Sequence, residues 1–225
     1  DHQGNHDDID HAIRTDPVFR VRLFALLGAS SVLGDHLIAN PTTWHLLRHD
    51  APTRCDMLRE LLGCIGAAPA GLVGDTATDT LDNVGTYRAA GTGTTAACTT
   101  IETTLKQTYR TLLMRIAAID LAGTYPENSR RVGQPEVPLG TVTAQLADLA
   151  DAALTAALAV AIRHVYGDNP VESQLAVIAM GKCGARELNY ISDVDVVFVA
   201  EPADAAATRV ASELIRLGSH CFFEV

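Results

Sequence analysis

Residues 175–199 read LAVIAMGKCGARELNYISDVDVVFV, and at the start of this stretch the chain changes from helical to strand-like periodicity. Leu175–Met180 is a short, wholly apolar run, which is typical of a buried β-strand. Val194–Val199 is a second such run. The glycine-rich residues between them predict a turn and a short helix. The pattern therefore predicts two buried strands joined by a turn that starts at Gly181.

Asp193 and Asp195 stand where the second strand is expected to begin. Two residues apart on an extended chain, both side chains point to the same face, with Cα atoms roughly 6.6 Å apart at about 3.3 Å per residue. Such a pair attracts a hard divalent cation such as Mg²⁺, which keeps other positions for water and phosphate oxygens. An isolated Asp-x-Asp pair is more often a solvated turn. Here the apolar neighbours are expected to be buried, and unpaired buried charge is costly, so the pattern favours a metal site.

Three residues around the turn are candidates for holding phosphate. Gly181 follows the first strand, and a glycine there permits a ligand to approach the backbone closely. Lys182 can meet a phosphate oxygen, the alternative being an ordinary surface lysine. Ser192 can donate a hydrogen bond to Asp193 or to a phosphate, the alternative being a residue that simply forms the turn into the second strand.

The composition excludes several classes of protein. The chain has 225 residues, of which 48% are hydrophobic, and a formal net charge of -10. This apolar content excludes wholesale disorder, and the acidic balance excludes a broadly basic nucleic-acid surface and docking on an anionic membrane. Five cysteines are scattered without a CxxC pair. They indicate neither a zinc ribbon nor a disulfide framework, and we expect reduced thiols in a cytoplasmic protein.

Neither a signal peptide nor a membrane span is expected. The first residues, DHQGNHDD, have no basic region followed by an apolar one. No uninterrupted apolar run approaches the roughly 20 residues that span a bilayer. Because the sequence does not begin with Met, we expect it to start inside a longer protein or after a removed segment.

The residues before Asp168 carry mainly helical signals. Asp16-Pro17 is a strong helix start, because Asp can cap free N–H groups and Pro at the first helical position loses no hydrogen bond. Residues 66–97 are dominated by Ala, Gly and Thr, which predicts a mobile connection. Helices are expected at residues 17–28, 30–38, 44–47, 55–65, 100–123 and 141–167.

The residues after Gly167 predict a different architecture. The two strands are followed by helical periodicity over residues 203–219 and by a third strand that opens at Cys221. The chain is therefore expected to be α+β and mainly helical overall. An all-helical segment, residues 1–167, precedes the beginning of an α/β domain, residues 168–225.

The order of these features resembles the polymerase-beta-like nucleotidyltransferase superfamily: a strand is followed by Gly-Lys, then by ten residues, then by Asp-x-Asp. Lys182 stands where that superfamily usually has serine. Residues 179–199 more specifically resemble the glutamine synthetase adenylyltransferase family, whose two homologous halves each carry a GK-x-G-x-REL-x-x-x-SD-x-D motif. Residues 187–190, ELNY, look like the N-terminal, adenylyl-removing half, since the other half more typically reads ELGH. Residues 22–38 also look like the helical leader of the N-terminal half. The resemblance covers about residues 18–50 and 100–225.

The resemblance implies a metal-dependent nucleotidyltransferase that removes AMP from a tyrosine of glutamine synthetase. Inorganic phosphate would attack the AMP–tyrosyl bond and release ADP, as part of nitrogen-assimilation control. Asp193 and Asp195 would be the catalytic metal ligands, and Gly181, Lys182 and Ser192 would hold phosphate oxygens. Mg²⁺, with Mn²⁺ as the alternative, is the implied cofactor, and phosphate and ADP or ATP are the implied substrates. The implied partners are adenylylated glutamine synthetase and a PII-type nitrogen signalling protein, with no nucleic acid and no membrane.

In that family a third carboxylate arrives on the next strand, in a Glu-Val-Asp context. Phe223-Glu224-Val225 matches the beginning of that context, so the carboxylate is expected directly after Val225, with Glu224 as the alternative. The chain by itself is therefore expected to be inactive. Two other functions stay open, namely an adenylylating half that transfers AMP from ATP to a protein tyrosine, and a catalytically silent regulatory or interaction scaffold.

Overall fold

The structure is a computed structural model, and it describes residues 2–67, 95–124, 130–133 and 136–223. These residues are mainly helical and contain one two-stranded antiparallel sheet, which confirms the predicted α+β fold class. The mobile connection predicted at residues 66–97 lies almost wholly outside the described residues.

The helices and strands follow one another in an order close to the expected one. The strands are β1 (Gln174–Ala179) and β2 (Val196–Glu201). The helices are α1 (His2–Thr15), α2 (Pro17–Ala29), α3 (Ser31–Ala39), a 3-10 helix (Pro41–Arg48), α4 (Arg54–Cys64), α5 (Thr95–Gly123), α6 (Leu139–Tyr166), α7 (Gly181–Gly184) and α8 (Ala205–Cys221).

Side-chain caps fix the starts of two helices. The Asp16 carboxylate accepts a hydrogen bond from the Phe19 amide at 3.0 Å, and Pro17 is the first helical residue, which confirms the predicted start of α2. The Ser30 hydroxyl accepts one from the Leu33 amide at 3.3 Å and starts α3 in the same way. Helix α1 was not expected from the sequence, because it is largely polar and only a few apolar residues pack against the core.

The chain divides into two compact units. One comprises Asp1–Pro52 and Arg110–Val142, and the other comprises Thr53–Tyr109 and Thr143–Val225. The predicted domain boundary near Asp168 stays a prediction.

The core of the first unit gathers around aromatic and buried polar groups. Phe19 is fully buried and lies against Trp44, with ring centroids 5.3 Å apart. The guanidinium of buried Arg22 donates hydrogen bonds to the carbonyl oxygens of Leu47 at 2.9 Å and His49 at 2.7 Å. Because a buried cation needs partners, these bonds tie the end of the 3-10 helix to α2.

Residues 143–166 of helix α6 belong to the second unit. Its buried residues are half alanines, among them Ala153, Ala156, Ala157 and Ala161, and half larger apolar residues such as Leu149. Two polar side-chain contacts join neighbouring helices to it. Arg54 of α4 faces Asp148, and His164 lies 2.7 Å from Glu213 of α8.

The sheet pairs β1 and β2 with Val177 opposite Phe198 and Ile178 opposite Val197. Burial alternates along both strands, so the prediction of wholly buried strands is wrong. Ile178, Val197 and Val199 are 45%, 45% and 54% exposed. Successive residues of a strand point to opposite faces, and one face of this apolar sheet is only partly covered by the described residues.

Two strand predictions need further correction. The second strand begins at Val196 rather than Val194, although the Met180 amide still donates to the Asp195 carbonyl at 2.8 Å. A third strand does not open at Cys221, because α8 runs through that residue and a turn follows. Cys221 continues the buried face of the helix, which is formed by Val210, Leu214, Leu217 and Cys221. Residues 224–225 lie outside the described residues.

Helix α6 is long and apolar enough to cross a membrane by length and composition, with a mean hydropathy of 1.5 in its most apolar window. The prediction concerned uninterrupted apolar runs, and because Asp148 and Asp151 interrupt this helix, that prediction is not contradicted. Of that window, 78% is buried inside the protein, as in the core helix of a compact domain. Helices α2 and α3 pass the same test only as a pair, bent by 119°.

Candidate active site

The turn after β1 brings the backbone of Gly181 against the side chain of Asp195. Gly181 has φ +53°, and a Cβ at this position would lie 3.0 Å from Asp195 Oδ2. A side chain would therefore both strain the backbone and crowd the carboxylate. Two of the predicted site residues are thus neighbours, and a glycine is needed at the point of contact.

Gly184 is a second glycine that the turn requires, and its role was missed from the sequence. A Cβ there would lie 2.5 Å from the Ala179 carbonyl oxygen, closer than packed atoms approach. The sequence could have indicated this role, because Gly181 and Gly184 are spaced to form the two ends of α7.

The carboxylates of Asp193 and Asp195 are both exposed, whereas Val194 between them is buried, with 1% of its surface accessible. This alternation is that of an extended chain and places both aspartates on the solvent side. They precede β2 rather than lying within it.

The Ser192 hydroxyl donates a hydrogen bond to Asn189 Oδ1 at 2.7 Å, and the Ile191 amide donates to the same oxygen at 3.2 Å. Asn189 thus closes the turn that leads to the aspartates, a role that the sequence reasoning missed although asparagine is a common turn residue. Ser192 takes part in the turn, and its role towards phosphate stays a prediction.

Lys182 and Cys183 are neighbours in the short helix α7 that differ in exposure. Lys182 is exposed, and its role towards phosphate stays a prediction. Cys183 is buried, with 4% of its surface accessible. Burial, with a smaller contribution from the charge of Asp151, raises the pKa of the Cys183 thiol to about 11. A thiol held protonated in this way is a packing group rather than a nucleophile.

A charged cluster lies beside the turn. Arg186 Nη1 is 2.9 Å from Asp148 Oδ1 of α6. Arg54 of α4 faces Asp148 and Asp151, at 3.7 Å and 3.6 Å. Burial raises the pKa of Asp151 and Asp148 raises it further, whereas the two arginines lower it. The turn therefore contacts α6 through opposite charges.

The described residues contain no group of three or more His, Cys, Asp or Glu side chains placed to hold a metal ion. Asp193 and Asp195 supply two exposed carboxylates, which are the ligand type that Mg²⁺ and Mn²⁺ prefer. Mg²⁺ commonly binds through one or two carboxylates and completes its shell with water and phosphate oxygens. The residues present are compatible with such an ion.

Residues 71–220 match the model of the family described as glutamate-ammonia ligase adenylyltransferase. The match covers well over half of the chain and includes the turn, both aspartates and both strands. The chain belongs to this family.

Several curated relatives carry the name bifunctional glutamine synthetase adenylyltransferase/adenylyl-removing enzyme. The Corynebacterium glutamicum protein is 60% identical over 97% of this chain and 21% of its own length. The Nocardia farcinica protein is 53% identical over 96% of the chain and 20% of its length. The Mycolicibacterium smegmatis protein is 44% identical over 97% of the chain and 20% of its length.

This member of the glutamate-ammonia ligase adenylyltransferase family thus spans about a fifth of the length of the curated relatives it matches. The family match confirms the resemblance drawn from the motif around Asp193 and Asp195. The roles of the individual site residues stay predictions.

Proposed function

We propose that this chain is part of a longer enzyme that removes AMP from adenylylated glutamine synthetase by phosphorolysis, as one step of nitrogen-assimilation control. The names of the relatives support an adenylyltransferase and an adenylyl-removing activity in one protein. The sequence ELNY at residues 187–190, which resembles the N-terminal half of the family, favours the removing activity here.

The observation that carries the proposal is the approach of Gly181 to Asp195. The backbone at Gly181 carries no side chain, and it lies beside a carboxylate that has a second exposed carboxylate, Asp193, two residues away. An anionic phosphate can approach a bare backbone, and a cation held by the carboxylates can neutralise it. This combination suits phosphoryl or nucleotidyl transfer better than proton-transfer or thiol chemistry.

In the proposed reaction an oxygen of inorganic phosphate attacks the phosphorus of the AMP–tyrosyl group. A new P–O bond forms ADP, the bond from the same phosphorus to the tyrosine oxygen breaks, and that oxygen takes up a proton. A divalent cation, Mg²⁺ or Mn²⁺, would neutralise phosphate charge and align the entering and leaving oxygens. Asp193 and Asp195 would hold the cation, and Gly181, Lys182 and Ser192 would contact phosphate oxygens.

The charge of the chain favours a protein substrate over a nucleic acid. Its formal net charge is -10, and polymerase-like nucleotidyltransferases need a basic groove for their polyanionic substrate. Glutamine synthetase with its adenylylated tyrosine is the proposed substrate, a PII-type signalling protein is the proposed regulator, and the cytoplasm is the proposed location.

Asp193→Asn in the full-length enzyme tests the proposal. The substitution keeps the shape of the side chain and removes the charge that would bind the cation. We expect loss of phosphate-dependent ADP release from adenylylated glutamine synthetase, by at least about 100-fold, with an unchanged melting temperature. Asp35→Asn is the matched control, because Asp35 is an exposed aspartate of the first unit and the charge change is identical.

Three results would contradict the proposal. ADP release that survives in Asp193→Asn would remove this aspartate from the chemistry. ATP-dependent transfer of AMP, without phosphate-dependent removal, would assign the adenylylating half. Calorimetric titration of Mg²⁺ or Mn²⁺ that shows the same binding in Asp195→Ala as in the wild type would favour a silent scaffold.

A further inference from the structure

Arg186 occupies a backbone position that normally belongs to glycine. Its φ is +59°, in the left-handed region that side chains rarely adopt. The Glu187 amide donates to the Lys182 carbonyl at 2.8 Å, and the Arg186 amide donates to the Cys183 carbonyl at 3.1 Å. This pair of bonds is the Schellman motif that ends a helix, and Arg186 is at its left-handed residue, where glycine predominates.

A non-glycine residue stays in this unfavourable backbone conformation only where surrounding contacts hold it there. The side chain of Arg186 lies 2.9 Å from Asp148 Oδ1, and the Asp148 side chain is only 13% exposed. Asp148 raises the pKa of Arg186, which is the response expected of a guanidinium paired with a carboxylate. The side chain thus joins the turn to α6.

The same turn positions the candidate site. The Gly184 amide donates to the Met180 carbonyl at 2.9 Å, and the Ala185 amide donates to the Gly181 carbonyl at 3.0 Å. A shift of the turn at its Arg186 end is therefore transmitted to Gly181, which lies against Asp195. Displacements of about 1 Å at a reacting group are large enough to slow a reaction by about 100-fold.

We propose that the Arg186–Asp148 ion pair anchors residues 181–187 to α6 and so positions Gly181 and Lys182 relative to Asp195 for phosphate. Arg186 and Asp148 are positioning residues, not catalytic ones, because neither touches the reacting atoms. The consequence for catalysis rests on the proposed function, whereas the anchoring of the turn does not.

A second arginine, Arg54, also faces the Asp148 carboxylate. Arg54 Nε lies 3.7 Å from Asp148 Oδ1. Its second contact is Asp151, at 3.6 Å. These distances are longer than the Arg186 contact, and Arg54 belongs to α4 rather than to the turn. We therefore expect Arg54→Ala to affect the turn much less than substitution of Arg186.

Arg186→Asn in the full-length enzyme is the decisive variant. Asparagine accepts the left-handed conformation better than arginine does, so the variant removes the ion pair without adding backbone strain. We expect the KM for inorganic phosphate to rise or kcat to fall so that kcat/KM for phosphate drops by about 10- to 100-fold. Arg186→Lys keeps the positive charge and should retain more activity.

Asp148→Asn and the double variant Asp148→Asn/Arg186→Asn test whether the two groups act as a pair. If they do, the double variant loses no more kcat/KM than Arg186→Asn alone, because each single change already breaks the same contact. Losses that multiply would show that the two residues act independently and would overturn the pairing.

Arg216→Asn is the matched control. Arg216 of α8 lies 2.7 Å from Glu102 and 2.8 Å from Glu213, and the exposed fractions of Arg216 and Glu102 are 46% and 13%, against 48% and 13% for Arg186 and Asp148. Arg216→Asn should lower the melting temperature at least as much as Arg186→Asn, because it also loses the Glu213 contact and places asparagine inside a helix. Only Arg186→Asn should change the phosphate kinetics, and an equal kinetic loss in Arg216→Asn would reduce the effect to general destabilisation.

Hydrogen–deuterium exchange supplies a readout that does not depend on activity. In Arg186→Asn we expect faster exchange in the peptide that covers residues 180–188, with unchanged exchange in α6. Unchanged exchange in that peptide, or wild-type phosphate kinetics in an active enzyme, would overturn the inference. If the wild type shows no phosphate-dependent ADP release, the proposed function fails, and the exchange comparison still decides the anchoring of the turn.

Discussion

Among single residues, Gly181 is constrained in two ways: by its left-handed backbone and by its contact with Asp195. Alanine at φ +53° costs roughly 1–2 kcal/mol of stability for the left-handed backbone, and its Cβ would also lie 3.0 Å from Asp195 Oδ2. We expect Gly181→Ala to lower the free energy of unfolding by that amount in urea denaturation. We also expect AMP removal by the full-length enzyme to fall at least about tenfold, since the carboxylate is displaced.

Gly167→Ala is the control for the backbone part of that effect. Gly167 has a similar φ of +57°, but a Cβ there would meet no atom within 4 Å. We expect Gly167→Ala to lose the same free energy of unfolding as Gly181→Ala but to keep full activity. If Gly167→Ala and Gly181→Ala lost activity equally, the contact with Asp195 would not matter.

His36 is the residue from which we expect a pH effect on stability. Its Nε2 is 2.9 Å from Thr111 Oγ1, and the Asn40 side-chain amide is 3.3 Å from its Nδ1. Burial, and secondarily the charge of Arg110, lower the pKa of His36 below its usual value. The folded state therefore favours the neutral ring.

Because the pKa of His36 is lowered in the folded state, the protein should become less stable as the pH falls. Above about pH 6.5 the ring is neutral in both states, and the full stabilisation is present. As the pH falls below this value the unfolded state takes up the proton first, so stability is lost until the lowered folded pKa is reached. Urea unfolding between pH 7.5 and 5 should show this loss, and His36→Gln should reduce it; an identical pH profile in the variant would contradict the assignment.

At the scale of elements, the start of α2 depends on the Asp16 cap. Asp16→Ala removes the acceptor for the Phe19 amide and should lower the free energy of unfolding by roughly 0.5–2 kcal/mol. Asp16→Asn should cost less, because asparagine also caps helices well. Urea denaturation of both variants tests this, and equal losses would show that the charge, which also pairs with Arg48 at 2.8 Å, matters more than the cap.

Elements with strong local signals were predictable from the sequence, and elements defined by distant contacts were not. Asp16-Pro17 and Ser30 mark helix starts by their own chemistry, and the structure has caps at both. Helix α1 is polar, so its few apolar contacts gave no clear periodicity. The apolar run from Cys221 looked like a strand, but Cys221 faces the core on the last turn of α8.

At the scale of the whole molecule, the sequence predicted the mainly helical α+β class and the family, because the residues between the strands carry a specific motif. It did not predict that Arg186 would pair with Asp148, since the two lie 38 positions apart in the chain and only the fold brings them together. The exposed face of the sheet was also unpredictable, because a run of apolar residues does not say which neighbours cover each face.

Labelled inorganic phosphate tests both the phosphorolysis and the role of Asp193. The full-length enzyme is incubated with adenylylated glutamine synthetase and ³²P-labelled inorganic phosphate, and the nucleotide products are separated. We expect labelled ADP from the wild type and none from Asp193→Asn. Release of AMP without label would contradict phosphorolysis, and labelled ADP from Asp193→Asn would contradict the role of the Asp193 carboxylate.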